Sequence, residues 1–177
     1  MQRTRRFTAG VILSLTVAAG ILAGCNASEP PAQSGQILSG GVAAIDSVLS
    51  ANRGKWVVMN VWATWCRPCV AETPDLVAFA EGMRERPLTM LGISTDYFTV
   101  DDTAAVRKVT EFQTRYGVPY DNLVFIGSVD DLTDRLNLNG ALPTTILFDP
   151  SGAVAAQYIG LMERTDLDSI ALRIGGV

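Results

Sequence analysis

Histidine is absent from the 177 residues, and cysteine occurs only at Cys25, Cys66 and Cys69. A zinc site takes about four ligands, and three thiols with no imidazole make a poor set. A copper chaperone likewise lacks the histidine to complete a soft-metal site. No metal is therefore expected. Basic residues are also short, with 14 Lys and Arg against 18 Asp and Glu and a formal charge of −4, which argues against nucleic acid as a partner. No internal repeat is visible, and no low-complexity run follows residue 36.

What is present at the N-terminus reads as an address. Arg3, Arg5 and Arg6 form a positive region, and Ala9 to Ala23 is mostly small and apolar. Leu22-Ala23-Gly24-Cys25 then resembles the lipobox of bacterial lipoproteins, a secretory signal cleaved just before a cysteine. Residues 1–24 are accordingly expected to be a signal peptide. Cys25 is expected to carry the lipid that holds the chain on the outer side of a cell membrane, facing the periplasm or the exterior. The competing reading is an uncleaved membrane helix, for which Phe7 to Ala23 is near the lower length limit. Loss of three arginines and no acids would move the formal charge from −4 to −7. Residues 25–36 are polar and rich in Pro, Ser and Gly, which predicts a flexible tether. Residues 37–177 are the size of one domain.

The centre of that domain is Lys55 to Pro74, KWVVMNVWATWCRPCVAETP. Trp56 to Trp62 reads as an apolar strand, and a helical pattern follows Cys66-Arg67-Pro68-Cys69. A Cys-x-x-Cys pair where a strand passes into a helix points to dithiol redox chemistry. At a helix start, unpaired N–H groups and the helix dipole favour thiolate, and can lower a cysteine pKa from about 8.5 into roughly the 3.5–7.5 range. Cys69 lies one turn on, on the same face, at a spacing of about 5–6 Å that a disulfide can span. Cys66, at the exposed end, is the expected attacking thiol, and Cys69 the thiol that resolves the mixed disulfide. Arg67 between them would help the thiolate, or is simply solvated.

The segment WATWCRPCVAETP resembles the active-site segment of the TlpA-like thiol–disulfide oxidoreductases, which have a thioredoxin fold and act outside the bacterial cytoplasm. The similarity continues through Ala141-Leu142-Pro143-Thr144-Thr145 and Asp149-Pro150-Ser151-Gly152. The resemblance implies an α/β fold with a central mixed sheet flanked by helices, including the group's extra strand and helix between Leu88 and Leu136. It implies cofactor-free reduction of disulfides in exported proteins, with apocytochrome c one candidate substrate, and a membrane partner that supplies reducing equivalents. A disulfide-forming oxidase and a non-catalytic peptide-binding module remain the alternatives.

The resemblance also assigns supporting residues. Pro143 matches the cis proline that lies opposite the two cysteines in the thioredoxin fold. Leu142 before it would offer its backbone N–H and C=O to an extended substrate peptide. Trp65, beside Cys66, would form part of the substrate platform, or would simply pack. Trp62 reads as core. Glu72, three residues after Cys69, would share its helix face and exchange a proton with it, or would be a solvated first-turn acid. Asn60 stands where thioredoxin has a buried aspartate; an amide cannot take that proton, which turns attention to Glu72.

Elsewhere the pattern predicts a short strand at Ile37–Leu38, a helix at Val42–Leu49, and a helix from Cys69 to about Arg86, kinked at Pro74. A strand at Leu88–Ser94 should pair in parallel with Trp56–Trp62. A helix at Asp101–Tyr116, a strand at Asn122–Ile126 and a helix at Val129–Leu136 follow. Asp101, Asp102, Asp130 and Asp131 read as helix-start charges. Thr144–Phe148 and Val154–Tyr158 flank a turn and read as a hairpin, and Arg164–Ile174 closes the chain as a helix.

Overall fold

The computed structural model describes residues 34–175. The signal-like segment, Cys25 and residues 26–33 of the expected tether lie outside the described residues. Six strands, β1 (Ile37–Gly40), β2 (Trp56–Trp62), β3 (Leu88–Ser94), β4 (Asp121–Phe125), β5 (Thr144–Phe148) and β6 (Val154–Ile159), form one sheet. Their order is β1-β4-β3-β2-β5-β6. The first four in that order run parallel, while β5 is antiparallel to β2 and β6 to β5. This is the mixed sheet expected, and β2 lies inside it with neighbours on both edges.

Alternation along β2 sorts the helices onto two faces. Val57, Met59 and Val61 pack in a core with Ile45 and Leu49 of α1 (Val42–Ala51) and with Leu132 and Leu136 of α4 (Val129–Leu136). Val58 faces the other way, against Leu76 and Phe79 of α2 (Arg67–Gly82) and Leu167 and Ile170 of α5 (Arg164–Gly175). Trp62, on that second face, packs with Ala105 and Val109 of α3 (Asp102–Tyr116). Each fully buried aliphatic side chain contributes roughly 1.5–3 kcal/mol, so both faces are needed to hold β2 in place.

The helix ends follow local chemistry. Asp101 caps α3 by accepting the Ala104 N–H at 2.9 Å, and Gly117 ends it at φ 62°. Ser128 and Asp131 form a reciprocal capping box on α4. Helix α2 runs through Pro74 and stops at Gly82, short of the expected Arg86. Past Gly82, Arg84, Glu85 and Arg86 are exposed and have no apolar face to bury. Tight turns, with the Arg86 N–H donating to Met83 and the Leu88 N–H to Arg86, instead return the chain to β3. A 3₁₀ segment at Asp96–Phe98, unforeseen in the sequence, follows β3.

Gly92 in β3 is a position where only hydrogen fits. A Cβ there would come within 2.0 Å of Asn122 Oδ1 and 2.8 Å of Trp62 Nε1. Those two atoms are hydrogen bonded across the strand at 3.0 Å, so the indole N–H of Trp62 is satisfied inside the core. Gly92→Ala is expected to break that bond and lower stability by about 1–3 kcal/mol, read as a shift of the urea midpoint.

Candidate active site

Strand β2 brings the chain to Trp62, and Ala63-Thr64-Trp65 turns it into α2. The turn is closed by the Cys66 N–H donating to the Ala63 carbonyl at 3.1 Å. Cys66 is the N-cap of α2, and its Sγ accepts the N–H of Cys69 at 3.3 Å. Sulfur here occupies the position usually held by a serine or aspartate oxygen, facing the free N–H groups of the first turn. Pro68 falls within that turn, where a missing N–H costs little. Cys66 and Cys69 are joined as a disulfide with their Cα atoms 5.3 Å apart.

The expectation of an exposed Cys66 above a deeper Cys69 survives only as a ranking. Cys66 shows 6% of its surface and Cys69 2%. Both sit in a cluster with Trp62, Ala63 and Val109, with half-buried Leu142 against it, which covers the outer sulfur more than its place at a helix end suggests. Arg67 is exposed.

Glu72 is not solvated: 1% of its surface is exposed. Its Oε1 accepts the Asn60 amide at 2.9 Å and its Oε2 the Met162 N–H at 2.9 Å. Burial raises its pKa from 4.5 to about 7, and those two hydrogen bonds oppose the rise. Asn60 also donates to Thr145 Oγ1 at 2.9 Å, which ties the carboxyl to β2 and β5 together. The strand position thus holds an amide, and the acid bound to it comes from the helix. Sequence reasoning missed the contacts that Met162 and Thr145 make with this set because both residues lie far along the chain from Asn60 and Glu72.

Leu142 and Pro143 precede β5, and the peptide bond between them is cis. Pro143 is buried, and its carbonyl accepts the Gly160 N–H at 2.9 Å. Among the described residues neither the N–H nor the C=O of Leu142 takes a hydrogen-bond partner, which leaves both free for a visiting strand. Trp65 is 52% exposed. It and Leu142 border an apolar groove of about 290 Å³, whose lining also includes Phe98, Thr99, Val129 and Leu138.

A second buried acid, Asp96, has no exposed surface. It accepts from the Thr64 N–H at 2.9 Å, the Thr64 hydroxyl at 2.5 Å and the Ser94 hydroxyl at 2.9 Å. Only its place just after an apolar strand marks it in the sequence. No cluster of metal-ligating residues occurs among the described residues.

The raised pKa of Glu72 has a signed consequence. Folded chains hold its proton more tightly than unfolded ones, so stability falls as pH rises from about 4.5 to about 7 and then levels off. Glu72→Gln should remove a slope worth on the order of 3 kcal/mol across that window. Urea unfolding of both proteins between pH 4 and 8 measures it.

The AhpC/TSA family matches residues 42–173. The thiol–disulfide oxidoreductase ResA of Geobacillus kaustophilus is 30% identical over 120 residues, covering 68% of this chain and 63% of that protein. The thiol:disulfide interchange protein DsbE of Pseudomonas fluorescens biotype C is 31% identical over 115 residues, covering 63% of this chain and 55% of that one. The chain therefore spans less than two thirds of the length of these relatives. Among solved structures, a thioredoxin-family thiol:disulfide interchange protein from Chlorobium tepidum TLS superposes with a TM-score of 0.59 at 25% identity, over 72% of this chain and 84% of that one. A secreted thiol-disulfide isomerase from Corynebacterium glutamicum shares the fold, with a TM-score of 0.60 at 24% identity over 71% and 74% of the two chains. The chain belongs to the AhpC/TSA family, and within it resembles the TlpA-like members of thioredoxin fold.

Proposed function

We infer that this chain is a cofactor-free thiol–disulfide oxidoreductase working outside the cytoplasm, and that it reduces disulfides in exported proteins. The observation that carries this reading is the Cys66–Cys69 disulfide across the first turn of α2. In the dithiol form the Cys66 thiolate attacks a substrate disulfide, forming a mixed disulfide and expelling one substrate thiolate. The Cys69 thiolate then attacks the Cys66 sulfur, restores the disulfide seen here and expels the second substrate thiolate. Two electrons pass to the substrate, and the two thiol protons go with them. Glu72, one turn beyond Cys69 and with a pKa of about 7, exchanges a proton with the Cys69 thiol. Trp65 and Leu142 receive the substrate peptide, the Leu142 backbone by strand addition.

The oxidised pair must be re-reduced, because the compartment outside offers no reductant pool of its own. A dithiol donor in the membrane fills that role in this reading. Apocytochrome c is one candidate substrate. Cys25 carries the lipid anchor, and among the described residues no helix is long and apolar enough to cross a membrane.

Cys66→Ser should abolish insulin-disulfide reduction, and Cys69→Ser should accumulate the mixed disulfide. Turnover by Cys66→Ser at the wild-type rate would remove the assignment. Equilibration with a glutathione series should give a reduction potential nearer about −270 mV than about −120 mV. A value at the oxidising end would favour the disulfide-forming alternative. Cys25→Ala should leave the membrane fraction, and globomycin should block processing of the wild-type chain.

A further inference from the structure

We propose that Asp96 is a positioning residue that holds the redox turn and the apolar groove beside it in register; the groove's role as a peptide site rests on the function inferred above. Asp96 is a carboxylate without exposed surface, and it takes part in no salt bridge among the described residues. A buried acid without a cation is costly unless hydrogen-bond donors surround it. Its donors here come from one region. Two belong to Thr64, in the turn just before Trp65 and Cys66, and the third is the hydroxyl of Ser94, which in turn accepts the Asp96 N–H at 3.2 Å.

The backbone around Asp96 is fixed just as closely. The Thr95 N–H and hydroxyl both donate to the Trp62 carbonyl, at 2.9 and 3.2 Å. The Asp96 carbonyl accepts the Thr99 N–H and hydroxyl, each at 3.0 Å. Phe98, Thr99 and Trp65 all line the groove. The side chain of Asp96 therefore grips the turn that carries Trp65 and Cys66, while its main chain leads into Phe98 and Thr99 of the groove lining. One carboxylate thus fixes Trp65 relative to Phe98 and Thr99 in the groove lining, and it does so without touching the sulfurs.

The distinction from a merely structural acid lies in which substrates suffer. Asp96→Ala leaves the Thr64 N–H without its acceptor and frees the turn. A peptide disulfide that lies along the groove should show KM raised about tenfold, the scale of one lost charge-assisted hydrogen bond. A small disulfide such as oxidised glutathione, which does not span the groove, should turn over within about twofold of wild type. Asp96→Asn keeps one oxygen for the Thr64 N–H, and the hydroxyls can rotate to accept from its amide, so it should restore most of the peptide KM. Thr64→Val, a milder change at the same contact, should raise the peptide KM by about threefold and gives an answer even if Asp96→Ala does not fold. Equal loss with both substrates, or an unchanged peptide KM in the folded variants, overturns the proposal. Amide exchange at Thr64 to Cys66 needs no turnover and should quicken about tenfold in Asp96→Ala, or about threefold in Thr64→Val. If the wild type acted on neither disulfide, the inferred function would fail, and unchanged exchange would still separately sink the role of Asp96.

Discussion

The head of helix α2 is held by a sulfur atom. Cys66 Sγ takes the N–H of Cys69, and the residue that stabilises the helix start is thereby also one of the two joined in the disulfide. That coincidence constrains the rest of the chain. Strand β2 must end where the helix begins, the three-residue turn between them must not slip, and both faces of the sheet must be covered so that β2 cannot move. The capping contact is weak by comparison with an oxygen cap. Its geometry therefore depends on its surroundings: the Ala63–Cys66 turn and Pro68 in the first helical turn.

Behind the disulfide the interior is polar by arrangement. Glu72, Asn60, Thr145 and the Met162 N–H form one connected set that joins α2, β2, β5 and the approach to α5. Both carboxyl oxygens accept, so the set is satisfied by the anion, whereas burial favours the acid. These opposed demands place the pKa near neutrality. A group poised in this way can hold or release a proton at little cost, and it stands one turn beyond Cys69 of the disulfide.

Much of this was legible in the residues. The limits of β2 follow from an apolar run, those of α4 from Val129, Leu132 and Leu136 at helical spacing after a cap residue, and the hairpin of β5 and β6 from Asp149-Pro150-Ser151-Gly152 between two apolar segments. The cysteine pair at the strand-to-helix junction was equally plain. The end of α2 was not, because Arg84, Glu85 and Arg86 are good helix formers whose lack of anything to bury shows only in three dimensions. The state of Glu72 depends on an N–H ninety residues away, and that of Asp96 on Thr64, thirty-two residues before it. Local pattern carries no trace of such pairings, so an acid near a cysteine reads equally well as buried or wet.

Ser34 and Gly35 enter the sheet from the end where its parallel strands begin. Gln113 donates to the hydroxyl of Ser34 and to the carbonyl of Gly35, and Gly35 lies so close to Tyr120 that a Cβ would fall 2.0 Å from the Tyr120 carbonyl oxygen. The sulfur pair sits past the opposite end, where β2 gives way to α2. A pull transmitted through Ser34 would therefore act at the end of the parallel strands opposite the disulfide.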